Sequence, residues 1–297
     1  MIRLKSFLIL FIFGVLLVYI ISSASERVKN PEVTSPAWNE IHNTALLAEM
    51  ENRMAKEEDT GDSKSSMEEI PDYKKLFPDL YTEYALHESM EEGKKIAYLT
   101  FDDGPSANTF EILDILEEMD VKATFFIVGS AIDEEREVCL KRMVNEGHTI
   151  GIHTYSHLCS EIYCSIERYL YDFNRVYQQI YDITGERVNI YRFPWGSNNG
   201  YSKGIKDSLI TEMERRGFTC YDWNVDANDS VGKPTGYSIR RNIEKDIKKQ
   251  KYPIILLHDS IINDLTVRTL PGIIRMLSDK GYEFDTLDNR EPYLFNW

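Results

Sequence analysis

Positive charge is in short supply: 34 lysines and arginines stand against 49 aspartates and glutamates, a formal net charge of −15. The chain has no basic footprint for a phosphate backbone, which argues against nucleic acid as a partner. Cysteine is scarce, with four in 297 residues. Cys139, Cys159, Cys164 and Cys220 match neither a zinc ribbon nor a C-x-x-C redox pair, so free thiols are expected. Only Cys159 and Cys164 are close enough in sequence to suggest a local bridge. There is no internal repeat, which excludes a solenoid or propeller. Long apolar runs are also missing, with one exception at the start of the chain.

That exception organises the first third. Arg3 and Lys5 precede an uncharged stretch from Ser6 to Ala24, strongly apolar from Phe7 to Ile21. Cations ahead of an apolar run hold the N-terminus in the cytoplasm and send the rest of the chain across the membrane. Residues 1–24 are therefore expected to be a signal-anchor, with cleavage near Ala24 as the alternative. The expected location is the cell membrane, single-pass, with the remainder extracellular. Residues 25–92 read as an acidic stalk, because low hydrophobicity with high charge disfavours a packed core. Positions 26–92 alone hold seventeen acidic and seven basic residues. One amphipathic helix is expected within the stalk, over Ile41–Lys56, and no protein partner is evident.

From about Lys94 the texture changes to alternating strands and helices. Strands are expected over Lys95–Phe101, Val121–Val128, Thr149–Ile152, Asn189–Phe193, Phe218–Val225, Pro253–His258 and Tyr282–Thr286. Helices are expected over Thr109–Met119, Ala131–Glu146, Ile166–Thr184, Ile205–Arg216, Tyr237–Lys249 and Leu265–Lys280. Residues 93–297 should thus form one catalytic domain of parallel β/α units, a barrel or an open doubly wound sheet. Asp102, Asp103, His153, Arg192, Asp226, Asp229 and His258 all fall at or just past the C-terminal ends of these strands. In a parallel barrel those ends share one face, where active sites are built.

Two runs carry the chemistry: Thr100-Phe101-Asp102-Asp103-Gly104-Pro105 and His153-Thr154-Tyr155-Ser156-His157. They supply two carboxylates and two imidazoles, enough for a His-His-Asp metal site with one carboxylate to spare. A metallopeptidase needs a glutamate directly after its first histidine. Thr154 occupies that position, so this reading is rejected, and Thr154 and Ser156 are expected to shape the loop.

With Arg192-Phe193-Pro194-Trp195-Gly196, Asp226-Ala227-Asn228-Asp229 and Leu256-Leu257-His258 following in order, the chain resembles the polysaccharide deacetylases of carbohydrate esterase family four. The match runs from about Lys94 to Asp288. The resemblance implies an α/β fold, a distorted (β/α) barrel with fewer than eight strands. It implies that Asp103, His153 and His157 bind one divalent metal, zinc first, with cobalt or nickel allowed by the same ligands. It makes Asp102 the base, paired with Arg192, and His258 the acid, hydrogen-bonded by Asp229. Trp195 takes the place whose backbone N–H holds the oxyanion, and Leu256 lines the acetyl pocket. Ser230 stands where the family often has tryptophan. The function implied is hydrolysis of the N-acetyl group of N-acetylglucosamine in a cell-wall polysaccharide, peptidoglycan being nearest. An O-acetyl esterase on xylan-like polymers and a non-catalytic sugar-binding module are the alternatives.

Overall fold

Strands that are apolar on both faces must be covered on both faces, and that requirement shapes this molecule. The computed structural model describes residues 72–83 and 93–295. The expected membrane segment at 1–24 and the helix expected over 41–56 lie outside the described residues. No helix among the described residues is long and apolar enough to cross a membrane.

The central sheet is parallel. It is built from β1 (Ile96–Gly104), β2 (Thr124–Ile127), β3 (Thr149–Ile152), β4 (Ile190–Tyr191), β5 (Thr219–Cys220), β6 (Val225–Asp226) and β7 (Ile254–His258), in the order β5-β4-β3-β2-β1-β7-β6. A short β8 (Glu283–Phe284) pairs beside the start of β1. Around the sheet lie α1 (Ala107–Glu118), α2 (Glu137–Asn145), α3 (Cys159–Ile162), α4 (Ile166–Thr184), α5 (Lys206–Arg215), α6 (Gly236–Ile247) and α7 (Asp264–Asp279). Local signals set several of their ends. Ser106 caps α1 in a capping box with Thr109, and α4 stops at Gly185, which takes φ 78°. Both devices satisfy backbone groups that a helix end leaves bare.

Side-chain alternation divides the core in two. Leu99, Phe101, Phe125, Ile152, Tyr191, Ile255 and Leu257 join the outer helices in the larger cluster. Tyr98, Phe126, Ile190, Tyr221, Ile254 and Leu287 fill the inside of the curl. Residues two apart on a strand share a face. Tyr98 is thus followed inward by Thr100 and Asp102, Gly151 by His153, Ile190 by Arg192, and Ile254 by Leu256 and His258. The apolar floor of the barrel becomes a polar mouth within one or two steps along each strand. Gly151 is required there, because a Cβ would lie 2.6 Å from the Phe126 ring.

Two expected elements differ from the structure. The strand expected over Phe218–Val225 is two strands: β5 bonds to β4, and β6 bonds to β7 on the opposite edge. Only residues 221–224 join them. The five Cα–Cα steps from Cys220 to Val225 reach at most about 18 Å, so the two edges must curl towards each other. Tyr221 bridges to Tyr293, and the Asp222 N–H donates to the Tyr293 carbonyl at 2.8 Å. The tail of the chain thereby borders the seam. The helix expected from Ala131 starts only at Glu137, because the Asp133 carboxylate takes the Arg136 N–H at 2.9 Å and forms a turn first. The four cysteines are free thiols.

Residues 72–83, within the span read as stalk, pack on the domain largely around one guanidinium, with Arg215 and Tyr177 adding bonds to the Lys74 and Tyr81 carbonyls. Arg216 is fully buried. Its Nη1 donates to the Phe77 and Leu80 carbonyls at 3.0 and 3.3 Å, and its Nη2 to those of Tyr73 and Leu76 at 3.2 and 2.9 Å. Glu212 pairs with its Nε at 2.7 Å. Leu80 is fully buried beneath this clasp.

Candidate active site

In a regular strand, two consecutive aspartates point to opposite faces. Asp102 and Asp103 escape this rule through a bulge. The β1–β2 register slips between Asp102 and Gly104, and Asp103 takes φ 72°. A bulge re-aims the extra residue. Both carboxylates consequently face His153, whose Nε2 lies 3.7 Å from Asp102 Oδ2 and 3.6 Å from Asp103 Oδ1. His157 Nε2 lies 3.3 Å from the same Asp103 oxygen.

Asp103, His153 and His157 thus each offer one ligand atom, all within 4.8 Å of one another. The donor chemistry fits a divalent cation. His153 Nδ1 lies 2.9 Å from the Arg192 carbonyl. A carbonyl only accepts, so Nδ1 carries the proton and Nε2 keeps its lone pair towards Asp103. Burial pushes the His153 pKa down to about 4, only partly opposed by Asp102, so the ring is neutral as a ligand must be. Thr154 Oγ1 accepts the His157 N–H at 3.2 Å and Ser156 Oγ accepts the Leu158 N–H at 3.3 Å, the loop-shaping expected of them.

Asp102 is nearly fully buried. Arg192, itself fully buried, donates from Nη1 to Asp102 Oδ1 at 2.7 Å and to Thr100 Oγ1 at 2.8 Å. Its Nε and Nη2 donate to the carbonyls of Tyr221 and Asp222 at 2.8 and 3.2 Å. Burial alone would raise the Asp102 pKa. The Arg192 charge, with lesser help from His153 and His258, outweighs it and holds the carboxyl below its usual range.

His258 is placed directly opposite Asp102 in the β1–β7 register. Its Nδ1 lies 2.8 Å from Asp229 Oδ1, and its N–H donates to Asp229 Oδ2 at 2.8 Å. Thr266 Oγ1 donates to that second oxygen at 2.6 Å. Burial lowers the His258 pKa, but the Asp229 hydrogen bond and charge reverse this and raise it to about 9. Leu256 sits on the same inner face two residues earlier. Ser230, beyond Asp229, accepts from Asn263 at 3.0 Å. Asp226 caps its own turn, accepting the Asn228 N–H at 2.7 Å.

Trp195 is at the rim. Its backbone takes φ 64° and the residue is 47% exposed. The indole centroid lies 4.8 Å from the His157 ring and 5.6 Å from that of Tyr201. Asp102, Asp103, His153, His157, Arg192, Trp195, Asp229 and His258 are therefore gathered at one end of the barrel.

Three acidic residues that support this end escaped the sequence reading. Asp222 is fully buried and accepts from the Ser197 and Phe295 N–H groups at 2.8 and 2.9 Å, so it ties the Trp195 loop to the tail. Asp259 accepts from Ser106 Oγ at 3.2 Å and Thr109 Oγ1 at 2.6 Å, tying β7 to the start of α1. Asp172, in the middle of α4, reaches the loop between the two histidines. Asp259 directly follows His258, which is a faint signal. Asp172 carries no local pattern at all.

A curled parallel barrel with carboxylates and imidazoles gathered at its strand ends carries its polar groups where such barrels build active sites. Residues 89–218 match the polysaccharide deacetylase family model. Over 209 residues the chain is 32% identical to the peptidoglycan-N-acetylglucosamine deacetylase of Bacillus cereus, covering 69% of this chain and 73% of that protein. Among solved structures, the catalytic domain of peptidoglycan N-acetylglucosamine deacetylase from Eubacterium rectale is similar with a TM-score of 0.65 and 32% identity, over 71% of this chain and 99% of that one. A CE4 esterase of Streptococcus mutans is similar with a TM-score of 0.60 and 29% identity, over 65% of this chain and 86% of that one. The chain belongs to the polysaccharide deacetylase family.

Proposed function

We propose that the protein is a metal-dependent N-deacetylase acting on N-acetylglucosamine residues of peptidoglycan. The observation that carries this is the convergence, at one barrel mouth, of the Asp103–His153–His157 donors, the Asp102–Arg192 pair and the His258–Asp229 pair. Relatives described as peptidoglycan N-acetylglucosamine deacetylases support the choice of polymer. Asp103, His153 and His157 would hold one divalent cation, zinc being the first choice for two imidazoles and a carboxylate. A cation held there supplies Lewis-acid polarisation and makes water more acidic.

The chain's own groups divide the proton work. Asp102, kept ionised by Arg192, accepts a proton from the attacking water. His258, kept protonated by Asp229, donates from Nε2 to the leaving amine nitrogen. The Trp195 N–H faces the developing oxyanion, a role that depends on the backbone and not on the indole. Leu256 packs against the acetyl methyl group, and the exposed faces of Trp195 and Tyr201 offer apolar surfaces to sugar rings.

The test is product analysis. The zinc-loaded full-length chain, incubated with peptidoglycan that is then digested to muropeptides, should yield glucosamine in place of N-acetylglucosamine. Acetyl loss confined to the muramic acid residues would overturn the substrate assignment.

The charge pattern around residues 6–24 supports a membrane anchor with an extracellular catalytic domain, linked through the acidic stalk. Cell fractionation should find the full-length protein in the membrane pellet. A soluble extracellular product beginning near Ser25 would instead mean a cleaved signal.

A further inference from the structure

The loop that joins the two histidines is held from outside as well as by its own Thr154 and Ser156 hydroxyls. Thr154 and His157 both take left-handed backbone, with φ 69° and 53°. Such non-glycine conformations cost about 1–3 kcal/mol each and persist only when their surroundings impose them. Two elements do so here. In the turn after β2, the Gly129 and Ser130 N–H groups donate to the Thr154 and Tyr155 carbonyls at 3.1 and 2.9 Å. On the other side is α4. The Tyr155 N–H donates to one carboxylate oxygen of Asp172, and the Ser156 N–H to the other at 3.0 Å. One turn further along α4, the Arg175 guanidinium lies 3.4 Å from the Tyr155 ring centroid.

We infer that Asp172 is a positioning residue that fixes the separation of the His153 and His157 imidazoles by pinning the two peptide N–H groups between them. The inference rests on reading Asp103, His153 and His157 as a divalent-metal site. His153 is fixed independently, since its N–H donates to the Ile127 carbonyl at 2.9 Å and its Nδ1 to Arg192. His157 has no strand to hold it. Its own N–H reaches only Thr154 Oγ1, within the same loop, and its backbone follows directly from Ser156, so the Asp172 contacts on Tyr155 and Ser156 help set where its ring falls relative to Asp103. A fork of two oxygens on adjacent N–H groups fixes orientation as well as distance.

Full-length protein stripped of metal by a chelator should be titrated with zinc in a calorimeter, with apo-state unfolding followed in parallel. Asp172→Ala should weaken zinc binding on the order of 10–100-fold, as when an outer contact of a metal ligand is lost. Asp172→Asn should fall between Asp172→Ala and wild type, because its carboxamide oxygen still accepts one N–H. At saturating zinc, turnover should recover most of the way in both variants, since the ligands themselves remain. A role in stability alone would lower the apo unfolding midpoint and leave zinc affinity unmoved. Zinc binding within about threefold of wild type in both variants overturns the inference. If Asp172→Ala does not fold, Asp172→Asn decides it alone. A wild-type chain that binds no zinc would instead remove the metal reading, which separates the two failures.

Discussion

Asp102→Asn should retain its metal yet lose turnover by a hundredfold or more, on the order of 2.7 kcal/mol of barrier. The proposed ligands do not include Asp102, although its carboxylate stands 3.7 Å from His153. Its single strong partner is Arg192. Asparagine fills the same volume and its Oδ1 can still accept from Nη1, so the barrel floor should not collapse. Arg192 would also keep its bonds to Thr100, Tyr221 and Asp222. What disappears is a basic oxygen held ionised in a buried place. Elemental analysis and a single-substrate rate measurement on the same preparation check both halves. A variant that had lost its metal would show that the two aspartates have exchanged roles.

The second large effect concerns pH. If His258 donates the proton, activity is full while its imidazole is charged and falls as pH rises through its folded pKa of about 9. Burial pulls that value down, and Asp229 does most to raise it, with lesser help from the Asp102 and Asp103 charges. Asp229→Asn removes the charge and keeps the size. The imidazolium then loses its stabilising partner, its pKa falls, and the basic limb of the rate profile moves to lower pH by at least about one unit. The acid limb should stay nearly fixed, because Asp102 takes its low pKa mainly from Arg192. Coupled groups titrate as macroscopic values, so the shift of the limb is the observable and not the pKa of one residue. Profiles of wild type and variant decide it. An unmoved basic limb would detach Asp229 from the proton donor.

Much of this architecture could be read directly from residue types. Continuous apolar strands such as Ile254–Leu257 can only be buried, and helix stops such as Gly185 announce themselves. The order of acidic, imidazole and guanidinium groups at strand ends was equally legible, since strand alternation and parallel topology place them together. The remainder depended on contacts between distant parts of the chain. Nothing local at Asp103 reveals the bulge that turns it towards the same side as Asp102. The residues from Phe218 to Val225 read as one strand because periodicity does not report which edge a strand joins. Asp172 looks like any polar position on an amphipathic helix. Tyr73, Leu76, Phe77 and Leu80 were submerged in a charged stretch, and their value appears only when Arg216 gathers the carbonyls around them.

That gathering has a mechanical meaning. Any pull on the chain ahead of residue 72 is met first by the four carbonyls gripped by a buried guanidinium, and by Thr82, whose N–H donates to the Arg216 carbonyl at 3.0 Å. These contacts would hand such a load to the end of α5 and its flanking turn before the chain reaches β1. Both aspartates at the barrel mouth are carried by β1. A load entering at residue 72 would therefore fall on the side of the barrel before it falls on the strand that aligns the carboxylates.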